Sequence, residues 1–166
     1  YITYLIEKLA VKSLDLIEPF RGQIIVSSPL KKPFQVTYPH SFDHGYEYAL
    51  ITPDNRLMIG GWRSNIPGQD KNSYSLKTRD DIEEGLKAFV NRYYDIKEQI
   101  NWDYSWSGIM AASNSSLPYI GPVSTRIFVC LGYTGHGFSW AHGSAHLLSQ
   151  IIAGEDYPSV ANYFNP

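Results

Sequence analysis

Apolar residues recur along this chain with two different periods, and the change from one to the other divides it into elements. Short β-rich or alternating runs predict strands over Arg21–Ser28 (closed by Pro29), Gln35–Tyr38, Tyr46–Thr52 and Arg56–Ile59. Pro53-Asp54-Asn55 supplies turn chemistry between the last two, giving a hairpin with Tyr46, Tyr48 and Leu50 on one face. Ser64–Thr78, with Pro67-Gly68 in its middle, is polar and irregular. Thr78 is then the expected cap of a helix over Arg79–Tyr94. Its stripe is Ile82, Leu86, Phe89 and Val90, and Asp80, Asp81, Glu83 and Glu84 load its first turns. Trp102, Tyr104 and Trp106 alternate in a predicted strand over Ile100–Ile109, and Leu5, Ile6 and Leu9 give Tyr1–Val11 a helical spacing.

The chain closes on a different grammar. Ile127-Phe128-Val129-Cys130 reads as a β-branched strand, Leu131–Ser139 as a turn holding Gly132, Gly135 and Gly137, and Trp140–Gly154 as a helix, with Phe138 and Ser139 at its start. Glycines at such a turn let backbone approach a ligand closely. The following helix start offers unpaired N–H groups with partial positive charge, a way to hold an electron-rich group without a full cation. Antiparallel strands, a covering helix and more strand make an α+β layer. The terminal strand–turn–helix is the one βα junction, which assigns it to a separate parallel sheet.

Composition narrows the classes. The chain has 166 residues, enough for one good-sized core, and a net charge of −2 without basic runs, which argues against a nucleic-acid partner. No apolar stretch approaches bilayer length, so no membrane span is expected. A single cysteine, Cys130, excludes a disulfide framework and fits a reducing, intracellular and cytoplasmic setting, with targeting open if the chain is a fragment. The 13 tyrosines suit β-surfaces and small-ligand pockets alike.

Rival chemistries are weaker. His142 and His146 stand i, i+4 on the final helix, but Gly143 follows His142 where a zinc helix of this type needs glutamate, so no metal is expected. Gly137-Phe138-Ser139-Trp140-Ala141 approaches a nucleophile elbow but lacks its last glycine and carries a bulky tryptophan. Cys130 lies in an apolar strand, the setting of an inert thiol.

Several segments in order resemble the C-terminal half of the FAD-dependent amine and amino-acid oxidases, the superfamily of glycine oxidase, sarcosine oxidase and D-amino-acid oxidase. They are Pro19-Phe20-Arg21-Gly22-Gln23, Leu57-Met58-Ile59-Gly60-Gly61, Trp106-Ser107-Gly108-Ile109-Met110, Ser113–Pro122 and the Gly132–Ser139 turn. The resemblance runs from Tyr1 to about Gly154. It implies a substrate domain over residues 1–107 built on an antiparallel sheet with covering helices. Residues 108–166 would then give the terminal strand and helix of a Rossmann-like FAD-binding domain.

That family carries its adenosine diphosphate site on an N-terminal G-x-G-x-x-G unit, which this chain lacks. The resemblance therefore implies a C-terminal piece of a longer oxidase, inactive alone, whose partner is the missing FAD-binding half. It implies non-covalent FAD, since Cys130 is not where some relatives bind flavin covalently. Backbone contacts would come from Gly135, His136, Gly137, Phe138 and Ser139, with Leu117 and Pro118 on the other side of the ring. Tyr48 matches a strand position that presents an aromatic residue to substrate, with Tyr46, Trp62, Tyr133 and Arg63 as further substrate candidates.

Two departures stand out. Met110 occupies a position where amino-acid-oxidising members carry a carboxylate-gripping arginine, and Ser115 and Ser116 stand where an aspartate is usual. The expected function is oxidation of the C–N bond of a small amine or amino acid. The alternative is a non-catalytic interaction domain that keeps the fold.

Overall fold

A computed structural model describes residues 17–33, 38–96 and 100–166. The predicted helix over Tyr1–Val11 and most of the predicted strand Gln35–Tyr38 lie outside these. The chain divides into two compact units, one comprising Arg21–Ile109 and the other Tyr1–Phe20 with Met110–Pro166.

The first unit is a sheet covered by a helix. Strands β1 (Ile17–Ser27), β2 (His40–Phe42), β3 (Glu47–Ile51), β4 (Leu57–Gly60) and β5 (Trp102–Ser113) lie in the order β2-β3-β4-β1-β5, and β1 and β5 continue into the second unit. The predicted hairpin is β3–β4, antiparallel, with Ala49 opposite Ile59 and Ile51 opposite Leu57. Helix α1 (Asp80–Tyr93) lays Ile82, Leu86, Phe89 and Val90 on Ile25, Ala49, Leu57 and Ile59, the stripe that its sequence predicts.

The helix start differs from expectation. Arg79, not Thr78, is the N-cap, and it caps through no side-chain bond of its own. Its backbone is instead held by Gln23 of β1, whose Oε1 accepts from the Arg79 amide at 2.8 Å and whose Nε2 donates to its carbonyl at 3.1 Å. A primary amide offers both donors and an acceptor, and here one of each pairs with the backbone N–H and C=O of a single residue, as a strand neighbour would. Two residues earlier on the same face, Arg21 grips Asp70 with Nε (2.9 Å) and Nη2 (3.0 Å) and also donates to the Lys77 carbonyl. The irregular stretch between β4 and α1 is thereby fastened to β1, an interior strand, by two side chains.

The second unit holds β6 (Tyr119–Ser124), β7 (Ile127–Leu131) and α2 (Gly137–Ala153). The parallel setting expected for the terminal strand is not what the described residues show. β7 pairs antiparallel with β6, Ile120 opposite Cys130 and Gly121 opposite Val129. Gly121-Pro122 interrupts any alternation in β6, which is why its sequence did not read as a strand. The hairpin's small core is Tyr119, Val129 and Leu131, with Ile17 and Val123 against it.

Two expectations follow. Replacing a mid-helix glycine by alanine ordinarily stabilises by up to about 1 kcal/mol. Gly85 should behave oppositely, because an added Cβ would lie 1.9 Å from the Trp62 Nε1. Urea unfolding should show Gly85→Ala destabilising by about 1–3 kcal/mol, and stabilising once Trp62 is also trimmed to leucine. Asp70→Ala strands the buried Arg21 charge, and the same measurement should give a loss of about 3–5 kcal/mol.

Candidate functional site

In the first unit the candidate residues gather where β3 meets the end of β4. Tyr48 stands opposite Gly60 in the ladder, and its ring covers that glycine so closely that a Cβ there would lie 2.6 Å from the phenol oxygen. Burial raises the Tyr48 pKa, so the phenol stays neutral. At Gly61 the chain turns with φ of +120°, and a Cβ would sit 2.0 Å from the Tyr46 carbonyl oxygen, which leaves glycine as the sole residue that fits. Its amide donates to the Gln23 carbonyl at 3.2 Å.

Trp62 follows with φ of +67° and leads into a 3-10 turn over Arg63–Asn65. Its indole lies on Gly85 of α1 and meets Phe89 edge-on at 6.3 Å between ring centres. That placement makes Trp62 part of the core packing. Arg63 places its guanidinium over the Tyr46 ring, 4.9 Å from the centroid, and donates to the Gln69 carbonyl at 3.4 Å. Arg63 and Tyr46 thus form one cation–π pair.

Sequence reasoning passed over Glu47. It occupies a polar slot in an alternating strand, yet it is 3% exposed. Its carboxylate accepts from Asn65 Nδ2 at 3.2 Å and is further held by the Trp62 amide and the Ser64 side chain. These partners are neutral, and Asp43 is a like-charged neighbour. Burial first, and Asp43 second, raise its pKa above the usual glutamate range, against the lowering effect of its donors. No local sequence signal marks it, because its partners come from the far side of the Gly61 turn.

In the second unit, the glycine turn and helix start have the geometry that close backbone approach requires. Thr134 and Gly135 take left-handed φ of +52° and +88°, and an added Cβ at Gly135 would meet nothing within 4 Å. Thr134 Oγ1 accepts from the Ser113 amide at 3.1 Å and donates to the Gly132 carbonyl at 3.2 Å, which ties the turn to the end of β5. His136 is the N-cap without a side-chain cap bond to the helix, and its Nδ1–H donates to the Thr134 carbonyl at 3.1 Å. The first intrahelical bonds run from Ser139 and Trp140 to the His136 carbonyl. Among the described residues the Gly137 and Phe138 amides have no carbonyl partner. The Phe138 side chain is fully exposed.

The other candidates fall unevenly. Leu117 is exposed, whereas Pro118 beside it is fully buried. Ser115 Oγ accepts from the Leu117 amide at 3.3 Å, the local turn that an aspartate would also make, so serine keeps that role. Tyr133 directs its hydroxyl to Cys130 Sγ at 2.9 Å and rests its ring 3.6 Å from where a Gly137 Cβ would be. The buried Ser144 hydroxyl faces the same phenol without a well-formed bond. Burial, then Cys130, push the Tyr133 pKa up to about 12. This phenol braces the turn from within its unit. Met110 is half-buried in β5. His142 and His146 are exposed on α2, and no group able to hold a metal occurs among the described residues. No helix there is long and apolar enough to cross a membrane.

With this geometry in view, the comparisons define the class. The FAD dependent oxidoreductase family (DAO) matches residues 1–151, and the chain belongs to that family. It is 27% identical over 118 residues to the gamma-glutamylputrescine oxidoreductase of Escherichia coli, covering 70% of this chain and 26% of that protein. It is also 27% identical over 150 residues to a D-amino acid dehydrogenase of Neisseria meningitidis, covering 89% of this chain and 34% of that one. The chain therefore spans about a quarter to a third of the length of these curated relatives. Among solved structures, its fold is similar to iminodiacetate oxidase from Chelativorans (TM-score 0.77, 17% identity, 98% of this chain, 43% of that one). Glycine oxidase from Geobacillus kaustophilus is similar too (TM-score 0.72, 21% identity, 92% and 40%).

The raised Glu47 pKa has a thermodynamic sign. A carboxyl that is harder to ionise when folded contributes most below its unfolded value and loses that contribution as pH rises through its folded one. The thermal midpoint of Glu47→Gln minus that of the parent should therefore grow between pH 4 and pH 7. A difference that stays flat or shrinks would contradict the burial effect.

Proposed function

We infer that this chain supplies the substrate sheet and the terminal flavin-contacting turn of an FAD-dependent oxidoreductase that oxidises a C–N bond. The observation that carries the reading is the Thr134–Phe138 junction within a family match covering 1–151. An open glycine, two amides with no carbonyl partner among the described residues and an exposed aromatic residue fit the electron-rich edge of a flavin ring.

FAD held there would supply the acceptor for the hydride equivalent of amine oxidation. The chain's own task would be electrostatic: the Gly137 and Phe138 amides at the start of α2 would favour the negative charge that grows on the ring, from a turn fixed before reaction. Tyr133 and Thr134 keep them so by tying the turn to β7 and β5. Tyr46 and Tyr48 provide aromatic surface for an amine, and Met110 offers no charge to a carboxylate next to the reacting carbon. Binding is non-covalent in this reading, since the Cys130 thiol is engaged with Tyr133.

The adenosine diphosphate half of the site belongs to a segment that this chain does not carry. The relatives' greater length supports that division. Ligand halves share one loss of translational and rotational freedom, so half a site retains far less than half the practical affinity. Residues 1–166 alone should bind FAD weaker than micromolar by flavin fluorescence. Sub-micromolar binding would overturn the division.

The full-length protein should purify yellow, and an amine should bleach the flavin band anaerobically. Gly137→Val probes the turn, because an added Cβ there meets the Tyr133 ring at an ordinary 3.6 Å. Flavin should be lost on purification while the melting transition persists. Full flavin content and activity in that variant would show that the turn serves packing alone.

A further inference from the structure

Helix α2 gives its most protected position to a hydroxyl. Ser144 is its one buried residue, 2% exposed, while Leu147, Leu148 and Ile151 of the same helix are covered less. Its Oγ has no hydrogen-bond partner among the described residues. Alanine would suit the place better, having the higher helix propensity and no hydroxyl to desolvate. The fold gives no reason for a serine there, and a buried polar atom without a partner calls for a different one.

That reason lies in what Ser144 faces. It stands seven residues after Gly137, two turns on along the same helix face and about 10 Å farther along the axis. The Tyr133 side chain spans the interval. Its Cδ2, Cβ and Cγ lie 3.6–3.8 Å from where a Gly137 Cβ would be, and its hydroxyl is at the Ser144 end. The same hydroxyl meets Cys130 Sγ of β7 at 2.9 Å. A phenol has a proton to give and lone pairs to accept with, so Cys130 leaves it capacity for the serine. One rigid ring thus touches the first residue of α2, the helix two turns later and the strand before the turn. All four residues belong to the second unit. Without the serine contact the ring pivots on Cys130 alone.

We propose that Ser144 is a positioning residue for the cofactor turn: acting through Tyr133, it fixes where the Gly137 and Phe138 amides stand when negative charge grows on a flavin ring held there. This rests on the oxidoreductase reading above and adds to that site a residue away from the turn. The attraction between a helix start and an anion falls off within the first turn, so small displacements of the amides count. Stability and function therefore separate at this position. Alanine at 144 removes a desolvated hydroxyl, which the fold does not miss, and it loosens the ring that sets the amides.

The test takes two readings on the full-length flavoprotein: the thermal midpoint after the flavin is stripped, and the two-electron midpoint potential of the bound flavin. Ser144→Ala should keep or raise the thermal midpoint and lower the potential. Reduced flavin should bind about three- to tenfold weaker relative to oxidised, which is about 14–30 mV. Tyr133→Phe removes both hydroxyl contacts and should lower the potential at least as far, with Ser144→Ala adding nothing in that background. Leu147→Ala, at a partly buried position of the same helix, should lower the thermal midpoint and leave the potential alone. An unchanged potential in Ser144→Ala, or a shift that persists in the Tyr133→Phe background, overturns the proposal and leaves the oxidoreductase reading standing. A Ser144→Ala protein that loses thermal stability, or a Leu147→Ala protein with an equal shift in potential, assigns the hydroxyl to packing and overturns it likewise. A full-length protein that purifies without flavin overturns that reading and the proposal together.

Discussion

An interior strand of the sheet, β1, carries two polar side chains on a face that should be hydrophobic, and the rest of the first unit is arranged around them. Arg21, Gln23 and Ile25 alternate onto one side of β1, all of them buried. A buried guanidinium is tolerable when its donors are met, and Asp70 meets it with both oxygens. Gln23 then acts as a fragment of strand for Arg79, whose own guanidinium returns to Asp70 at 3.1 Å and to Asp81. Residues 61–79 have little regular structure, so these bonds replace the ladder that they lack. Their consequence is positional: with Arg79 fixed, α1 starts where its apolar stripe falls on Ile25, Leu57 and Ile59. The Arg and Gln of the P-x-R-G-Q segment have their explanation here, in the fold, well before any chemistry.

The paired glycines at the end of β4 serve a second constraint. Gly60 gives the Tyr48 ring a flat seat, and Gly61 lets the chain pass the Tyr46 carbonyl and reverse. Aromatic presentation and turn closure are thus one event. The same reversal carries Trp62 onto α1 and Arg63 onto Tyr46, which makes core packing and candidate substrate wall the work of two consecutive residues.

Much of this was legible in sequence where periodicity was strong. The α1 stripe and the β3–β4 hairpin follow from spacing, and the family follows from ordered motifs. Three things were not legible, each for a physical reason. β6 hides behind Gly121-Pro122, which breaks alternation, and β2 is three residues long. The cap of α1 came from a residue 56 positions away, so local capping rules pointed to Thr78 instead. Glu47 looked like an outward polar residue, because the donors that bury it are brought by a turn whose geometry depends on Gly61. Ser115 shows the converse: a motif departure that looked like lost chemistry keeps its turn, since a hydroxyl makes the same bond.

Backbone and side chain divide the work of recognition differently in the two units. At the Thr134–Phe138 junction the proposed cofactor contacts are amides, so they persist under substitution as long as glycines and a helix start remain. In the sheet, the candidate contacts are the side chains of Tyr46, Tyr48 and Arg63, each dependent on a particular neighbour: Gly60 for one ring, Glu47 and Gly61 for the turn that sets the guanidinium. A single replacement there changes the chemistry offered to a substrate without disturbing the cofactor turn.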